Sequence, residues 1–403
     1  MKASTTTLYI LYLLIASFMF MTNTLPYTGM ICVPVADLLG QPMHELYPHG
    51  KVKKMYDSIP VCGASTHAWQ GCPRLHQALL HELVDVIEER DQELCIKVHN
   101  IFYITPNTQK HTQTFWTLKS NIVKYDTIQN KPPHNAALAT CTHPTHIRHL
   151  NITVSAGTRY ALAKQLEYAD TLSVYLYNAK KNSFDIVDVP RTHSINTLPA
   201  HPHERIRLFV RTVRAWANQE TGIIPYVLGG CSFKALCPDG AYTIENLFYT
   251  YPTFHQTIKT GLDCSGLISR AAQLCGIPYF CKNSITAAKT LTTLKKNTMP
   301  QPGDLLWFPG HLIIIADLDR HTIVEARGYE HGYGKVHEIP LCEQFDGIHT
   351  YADLLYAYHH HIPLKRRDKS GTIVQTIPTY ALYSLASVFD TYHKHATHNT
   401  GLS

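Results

Sequence analysis

The spacing of apolar residues changes along the chain, from short β-like runs in the first half to a helical period further on. Short runs typical of strands in small barrels occur at residues 32–38, 79–89, 94–98, 101–104, 115–116, 121–123, 150–154, 157–160, 172–177 and 184–187. A segment with Pro132 and Pro133 interrupts them and is typical of a linker. The pattern therefore predicts two small β modules, over residues 31–129 and 134–192.

A helical pattern follows a second break, at residues 199–202. Apolar residues then recur with the period of an α-helix, at Ile206, Phe209, Val210, Val213 and Trp216. Mixed helical and strand patterns continue from there, which predicts an α+β domain over residues 203–363. The tail, residues 364–403, is mostly polar, and we expect it to be loosely held apart from a short helix at 380–388.

The N-terminal residues 1–24 contain one apolar run, from Leu8 to Met21, after Lys2. The run is short for a bilayer span and fits the apolar region of a signal peptide, with an uncleaved anchor as the alternative. We therefore expect an exported protein of the periplasm or cell envelope that meets a membrane only through this segment.

The composition argues against nucleic-acid binding and against a metal cofactor. Across 403 residues, 36 Lys and Arg stand against 30 Asp and Glu, so the formal net charge is only +6. The basic cluster at residues 365–367 lies near the C-terminus, and no other Lys/Arg cluster is interleaved with aromatic residues. We therefore predict no nucleic-acid partner. The 26 histidines are scattered, without a second Cys/His pair at zinc spacing, so no metal or other cofactor is predicted.

The cysteines number eleven, so at least one stays unpaired. Cys231 and Cys237 are close enough in sequence to form a disulfide or to share a metal, and the sequence favours neither.

A cysteine and a histidine form the strongest chemical signal. Cys264 follows Gly261 and Asp263 at a tight turn, directly before an apolar helix-like run. A helix N-terminus favours an anionic sulfur through its dipole and free N–H groups. Further along, His311 opens an apolar strand-like run. A thiol and an imidazole are the two parts of an activated sulfur nucleophile, with the histidine as general base.

Four stretches resemble, in the expected order, the NlpC family of papain-like cell-wall peptidases. They are residues 225–230 with a Tyr-x-x-Gly-Gly turn, 263–267 around the cysteine, 302–305, and His311 followed by residues 322–326. The two β modules resemble bacterial SH3-like domains, which are familiar partners of this catalytic domain. The resemblance implies an α+β fold, with a papain-like NlpC-type catalytic domain preceded by two small SH3-like β-barrels.

The resemblance also implies an activity. The expected enzyme is an exported cysteine endopeptidase that hydrolyses γ-D-glutamyl-diamino acid bonds in peptidoglycan stem peptides, with peptidoglycan or muropeptides as partners. Cys264 matches the family's nucleophile, His311 its base, and Glu325 the third position that orients the base. The family more often has His, Asn or Gln at that third position. The alternatives for Glu325 are a surface location, with His321 or a backbone carbonyl as the orienting group.

Five further residues are candidates for substrate binding. In relatives that bind a free N-terminal amine, the Asp before the nucleophile pairs with that amine, and Asp263 matches it. Ser265 and Ser284 match nearby polar contacts, Glu82 supplies a second charge for the amine, and Tyr226 places a hydroxyl near the oxyanion or the substrate.

Each of these assignments has a structural alternative. Asp263 is also a typical helix N-cap, Tyr226 a packing residue, and Glu82 a solvated strand residue. For the family's aromatic loop the nearest match is the pair at residues 115–116. Two rival functions remain: a non-catalytic cell-wall-binding protein, and an amidase or acyltransferase on the same fold.

Overall fold

The computed structural model describes residues 25–59, 61, 72–106, 108–164, 170–237, 260–295 and 298–390. The leader predicted for residues 1–24 lies outside these ranges, as do residues 391–403 of the tail. In the described part of the chain, no helix combines the length and apolar character needed to cross a bilayer.

The first β module is a seven-stranded antiparallel sheet. Its order is β3-β2-β8-β5-β4-β1-β9. The strands are β1 Tyr27–Ile31, β2 Val35–Leu39, β3 Arg74–Leu79, β4 Leu83–Arg90, β5 Glu93–Lys97, β8 Thr114–Leu118 and β9 Ile122–Lys124. Two short helices, α1 Met43–Leu46 and α2 Val52–Asp57, lie between β2 and β3, and β6 Tyr103–Ile104 pairs with β7 His111–Thr112. The strand content agrees with the sequence pattern, while closure into an SH3-like barrel stays a prediction.

The second β module is a five-stranded sheet in the order β15-β14-β13-β10-β16. Its strands are β10 Leu138–Cys141, β13 Arg159–Lys164, β14 Thr171–Asn178, β15 Ser183–Pro190 and β16 Ser194–Ile195. A separate hairpin pairs β11 Thr145–Ile147 with β12 Ile152–Val154. Because β16 pairs with β10, this module extends slightly beyond the predicted end at residue 192.

The third unit surrounds a six-stranded sheet in the order β19-β26-β20-β21-β22-β23. The strands are β19 Thr292–Thr293, β20 Leu305–Phe308, β21 His311–Asp317, β22 Thr322–Arg327, β23 Lys335–Pro340 and β26 Ala381–Ser384. Two pairs of short strands flank the sheet, β17 Cys231–Ser232 with β18 Gly261–Leu262, and β24 Leu364–Arg367 with β25 Ile373–Ile377. The helices are α3 Pro202–Ala217, α4 Cys264–Leu274, α5 Ser284–Thr290, α6 Leu341–Gln344 and α7 Tyr351–His359.

The predicted helix at residues 205–217 lies within α3. Its apolar positions Phe209, Val210, Val213 and Trp216 are buried in the main core, as the helical spacing requires. No disulfide joins Cys231 and Cys237.

The expectation of a loosely held tail is wrong for residues 364–390. Strand β26 pairs with β20 inside the central sheet, and Leu382 and Leu385 are completely buried. Residues 381–384 are therefore a strand where a short helix was expected, and among the described residues after 380 only 387–390 are helical. The apolar spacing at residues 380–388 fits a short buried strand as well as a helix, and periodicity alone does not separate the two.

Helix α4 carries Cys264 and packs between the sheet and the loops before it. Its inner face contributes Leu267, Ile268 and Ala271 to the main core. Gly266 allows the first turn to approach the backbone of Gly230, since a Cβ at Gly266 would lie 1.9 Å from that carbonyl oxygen. The cysteine is thus fixed by a backbone contact that only glycine permits.

We expect Gly266→Ala to lower the free energy of unfolding by about 3 kcal/mol, because backbone has to move to admit the methyl group. Urea denaturation measures the change. The control is Gly371→Ala, where the added Cβ meets nothing within 4 Å and only a left-handed backbone, φ +86°, resists it, at about 1 kcal/mol. Equal losses for the two variants would contradict this account of α4.

Candidate active site

Cys264 is the first residue of α4, directly after the N-cap Asp263, whose Oδ1 accepts the backbone N–H of Gly266 at 2.5 Å. The thiol is half-buried, and burial and the charge of Asp263 raise its pKa to about 12. The ammonium of Lys282 and the backbone N–H of Leu312 act in the opposite direction. Leu312 directly follows His311 in β21, so the sulfur lies at the start of that strand.

The carboxylate of Asp263 forms a buried salt bridge with a lysine. Lys282 Nζ lies 2.8 and 2.7 Å from the two carboxylate oxygens and 3.0 Å from Ser265 Oγ. Ser265 Oγ in turn donates to Asp263 Oδ1 at 2.8 Å. Asp263 is thus the N-cap of α4, as the structural alternative predicted. Its role in binding a substrate amine stays a prediction, and its carboxylate already binds the ammonium of Lys282.

His311 and Glu325 form the pair expected for a base and its orienting group. Nε2 of His311 lies 2.5 Å from Oε2 of Glu325, and Glu325 is completely buried, so the surface alternative is wrong. The other proposed orienting group, His321, lies in the turn between β21 and β22 with its ring against Tyr351. With Nε2 donating to the carboxylate, the Nδ1 of His311 is the nitrogen left for the thiol.

Glu325 accepts two further hydrogen bonds, from Nε2 of His337 at 3.1 Å and from Nη2 of Arg366 at 2.7 Å. Burial alone raises the pKa of this carboxyl group, but Arg366 and the two histidines outweigh it and hold the pKa well below its usual range. For His311, burial and the charge of Arg366 lower the pKa to about 4, against the opposing effect of Glu325. At neutral pH the site therefore holds an ionised carboxylate beside an uncharged imidazole and a protonated thiol.

Three other predicted binding residues, Tyr226, Ser284 and Ser265, have contacts of their own. Tyr226 lies in the electrostatic surroundings of Cys264, and burial together with that thiol raises the pKa of its phenol well above the usual range. Ser284 is the first residue of α5, and its carbonyl accepts the indole N–H of Trp307 at 2.8 Å. Ser265 is engaged with Asp263 as described above.

Glu82 is not brought to the thiol. Its Oε1 accepts a hydrogen bond from Nη1 of Arg270 at 3.0 Å, and it lines a cavity of about 1010 Å³ whose lining does not include Cys264. Arg270 lies six positions along α4, about 9 Å down the helix axis from the cysteine. Pairing with Arg270 thus holds Glu82 beside the middle of the helix, away from its reactive end.

The aromatic pair at residues 115–116 is also a structural element. Phe115 and Trp116 lie in β8 and are buried in the two cores of the first β module. The pair therefore does not form a loop over the site.

Three residues of the site were not predicted from the sequence: Lys282, His337 and Arg366. Lys282 lies between α4 and α5, and Arg366 belongs to the segment assigned to the tail. His337 stands directly opposite Glu325 across the β22–β23 pair. A strand alignment of residues 322–327 with 335–340 could have found His337, whereas the two cations reach the site through tertiary contacts alone.

Comparison with known proteins supports the fold. No protein-family model and no curated protein matches the chain. Among solved structures, an NlpC/P60 family protein from Bacillus cereus ATCC 10987 has a TM-score of 0.51 at 17% identity, over 78% of this chain and 94% of that one. NlpC2 and NlpC1 from Trichomonas vaginalis are more distant, with TM-scores of 0.30 and 0.29 at 10% identity, over 80% of this chain and 94% and 90% of theirs. The predicted likeness to NlpC/P60 proteins is thus confirmed at the level of the fold.

We expect Lys282→Met to slow the alkylation of Cys264, because the charge of Asp263 then opposes the thiolate without compensation. A rise of one unit in the pKa of the thiol slows alkylation roughly tenfold at a fixed pH below that pKa. Reaction of the full chain with iodoacetamide at pH 8.5, followed at the Cys264 peptide by mass spectrometry, measures the rate. Lys289→Met removes an exposed lysine of α5 and serves as the matched control. Equal rates for the two variants would rule out the compensating role of Lys282.

Proposed function

We propose that this protein is a cysteine peptidase in which Cys264 is the nucleophile, His311 the general base and Glu325 the group that orients it. The observation that carries the proposal is the 2.5 Å contact between His311 Nε2 and the buried Glu325, beside a thiol at a helix N-terminus. A buried carboxylate on one imidazole nitrogen commits the other nitrogen to proton transfer.

The reaction begins with the Cys264 thiol and the His311 imidazole both uncharged. Nδ1 of His311 takes the proton of the Cys264 thiol as the sulfur attacks the scissile carbonyl carbon. The imidazolium formed in this step is stabilised by Glu325 and then protonates the leaving amine. The C–N bond breaks and a thioester remains on Cys264. His311 next takes a proton from water, the hydroxide oxygen attacks the thioester, and the acid product leaves as the thiol is restored.

The oxyanion of each tetrahedral intermediate needs hydrogen-bond donors. The backbone N–H groups at the start of α4 are suitable because the first turn of a helix leaves its N–H groups without intrahelical partners. The phenol of Tyr226 is a second donor, and it keeps its proton because its pKa lies well above the usual range.

The proposed substrate class is the stem peptide of peptidoglycan, cleaved between γ-D-glutamate and the diamino acid. The four ordered sequence stretches support this assignment, as does the likeness of fold to an NlpC/P60 protein. The two β modules that precede the catalytic unit suit attachment to cell-wall polymer. With a leader over residues 1–24, the proposed place of action is the periplasm or cell envelope.

The direct test is digestion of defined muropeptides by the purified full chain, with products identified by mass. Cleavage is expected at the γ-D-glutamyl-diamino acid bond, and comparison of tripeptide, tetrapeptide and cross-linked substrates separates recycling from wall remodelling. We expect Cys264→Ala to lower turnover by at least about 10³-fold, as for loss of a nucleophile in other hydrolases.

The matched control is Cys342→Ala, which removes another half-buried thiol, in α6. This variant should retain wild-type turnover. Unchanged cleavage by Cys264→Ala would exclude the proposed mechanism. Tight muropeptide binding without cleavage by the wild-type chain would instead favour the non-catalytic wall-binding function.

A further inference from the structure

Arg366 is a buried cation beside the proposed base. It lies in β24, only 4% exposed, and its guanidinium carbon is 5.2 Å from the centre of the Phe308 ring. Its Nη2 is 2.7 Å from Glu325 Oε2 and 3.1 Å from His311 Nε2. One side chain thus contacts both the carboxylate and the imidazole that the carboxylate orients.

The hydrogens at this contact have one consistent arrangement. The 2.5 Å contact between Nε2 of His311 and Oε2 of Glu325 requires the N–H to be on Nε2, since the carboxylate is ionised. Arg366 has no lone pair to offer and therefore also donates to Oε2. Two donors from two strands converge on one oxygen, which restricts the rotation of the Glu325 carboxylate and fixes the tautomer of His311.

The charges around His311 are predominantly positive. Glu325 and Arg327 approach from β22, with 3.9 Å between Arg327 Nη1 and Glu325 Oε1, while Arg366 approaches from β24. His337 approaches the same carboxylate from β23, and burial keeps its pKa below the ordinary value. One carboxylate therefore faces two guanidinium groups before His311 takes up any proton.

The Cys264 thiol lies beside the next residue of the strand, since the backbone N–H of Leu312 hydrogen-bonds to it. Cys264 is uncharged at neutral pH, and its neighbours Asp263 and Lys282 form a salt bridge with each other, at 2.7 Å. This pair adds no net charge. Protonation of His311 at rest would thus place a third cation in a buried cluster that holds one anion. Burial opposes this charge most strongly, and Coulomb repulsion from Arg366 adds to the effect.

We propose that Arg366 is a positioning residue that holds Glu325 against His311 Nε2 and keeps the imidazole uncharged at rest, so that Nδ1 remains able to accept the thiol proton in acidic as well as neutral surroundings. The same repulsion makes the transient imidazolium a stronger acid toward the leaving amine. This role rests on the proposed Cys264–His311 chemistry and extends it to acid pH.

The test is a titration of His311 in the full chain. Histidine labelled with carbon-13 reports each imidazole by NMR, and the signal missing in His311→Gln identifies the residue. In the wild type we expect protonation only below about pH 5, because the pKa of His311 is lowered to about 4. Arg366→Met should raise the midpoint by about one unit or more, and Arg366→Lys, which keeps the charge, should stay near the wild-type value.

The neighbouring Arg367 provides the control. It lies in the same strand but binds Asp346 and the carbonyl of Cys342, so Arg367→Met should leave the His311 midpoint unchanged. The acid limb of kcat/KM should move with the midpoint in Arg366→Met, so that each unit lowers the rate about fivefold at the wild-type pH of half activity and about tenfold well below it.

The proposal is overturned if Arg366→Met folds and titrates like the wild type. If that variant does not fold, a wild-type midpoint near the ordinary value of 6.5 overturns it equally. The titration needs no substrate, so the two proposals can fail separately. A shifted midpoint without muropeptide cleavage counts against the peptidase function, and cleavage with an unshifted midpoint counts against Arg366 alone.

Discussion

The ionised carboxylate of Glu325 is the interaction on which the site depends. Burial of an unpaired charge is costly, and removal of one partner from a buried pair typically costs roughly 3–5 kcal/mol. Glu325 is satisfied by His311 from β21, His337 from β23 and Arg366 from β24. One carboxylate therefore links three strands to its own. It also fixes the tautomer of His311 and supplies the negative charge that the proposed mechanism requires beside an imidazolium.

A second constraint fixes Cys264, the proposed nucleophile. Helix α4 begins against the Gly230 backbone, and Asp263 caps its first turn while Lys282 compensates the charge of the cap. Further along the helix, Arg270 donates to the carbonyls of Cys231 and Gln77 and so joins the first β module to the catalytic unit. The β module thereby supports the helix that carries the thiol.

The sequence identified the residues whose local surroundings have a distinctive pattern. Cys264 stands at a helix start and His311 opens an apolar strand, while Glu325, the fourth residue of the next strand, was predicted from the resemblance to the NlpC family. Arg366 and Lys282 had no such pattern. Each reaches the site from a separate segment by a tertiary contact that no local period records.

Two predictions did not include a pairing partner that the local sequence does not show. Glu82 was predicted to supply a second charge for a substrate amine. Its salt bridge to Arg270 holds it beside the middle of α4, and the contact with substrate stays a prediction. The apolar spacing at residues 380–388 predicted a helix, whereas Ala381–Ser384 forms a strand that pairs with β19 on one side and β20 on the other. The position of Glu82 depends on its ion pair with Arg270, and the strand at Ala381–Ser384 depends on its pairing with β20.

The most direct measurement is rapid-quench mass spectrometry of the intact chain during muropeptide turnover. The account predicts a transient mass increase equal to the acyl portion of the substrate, located as a thioester on Cys264 and absent from Cys264→Ala. Turnover by the wild type with no acyl group on Cys264 at any time, under conditions that slow hydrolysis of the thioester, would contradict the account.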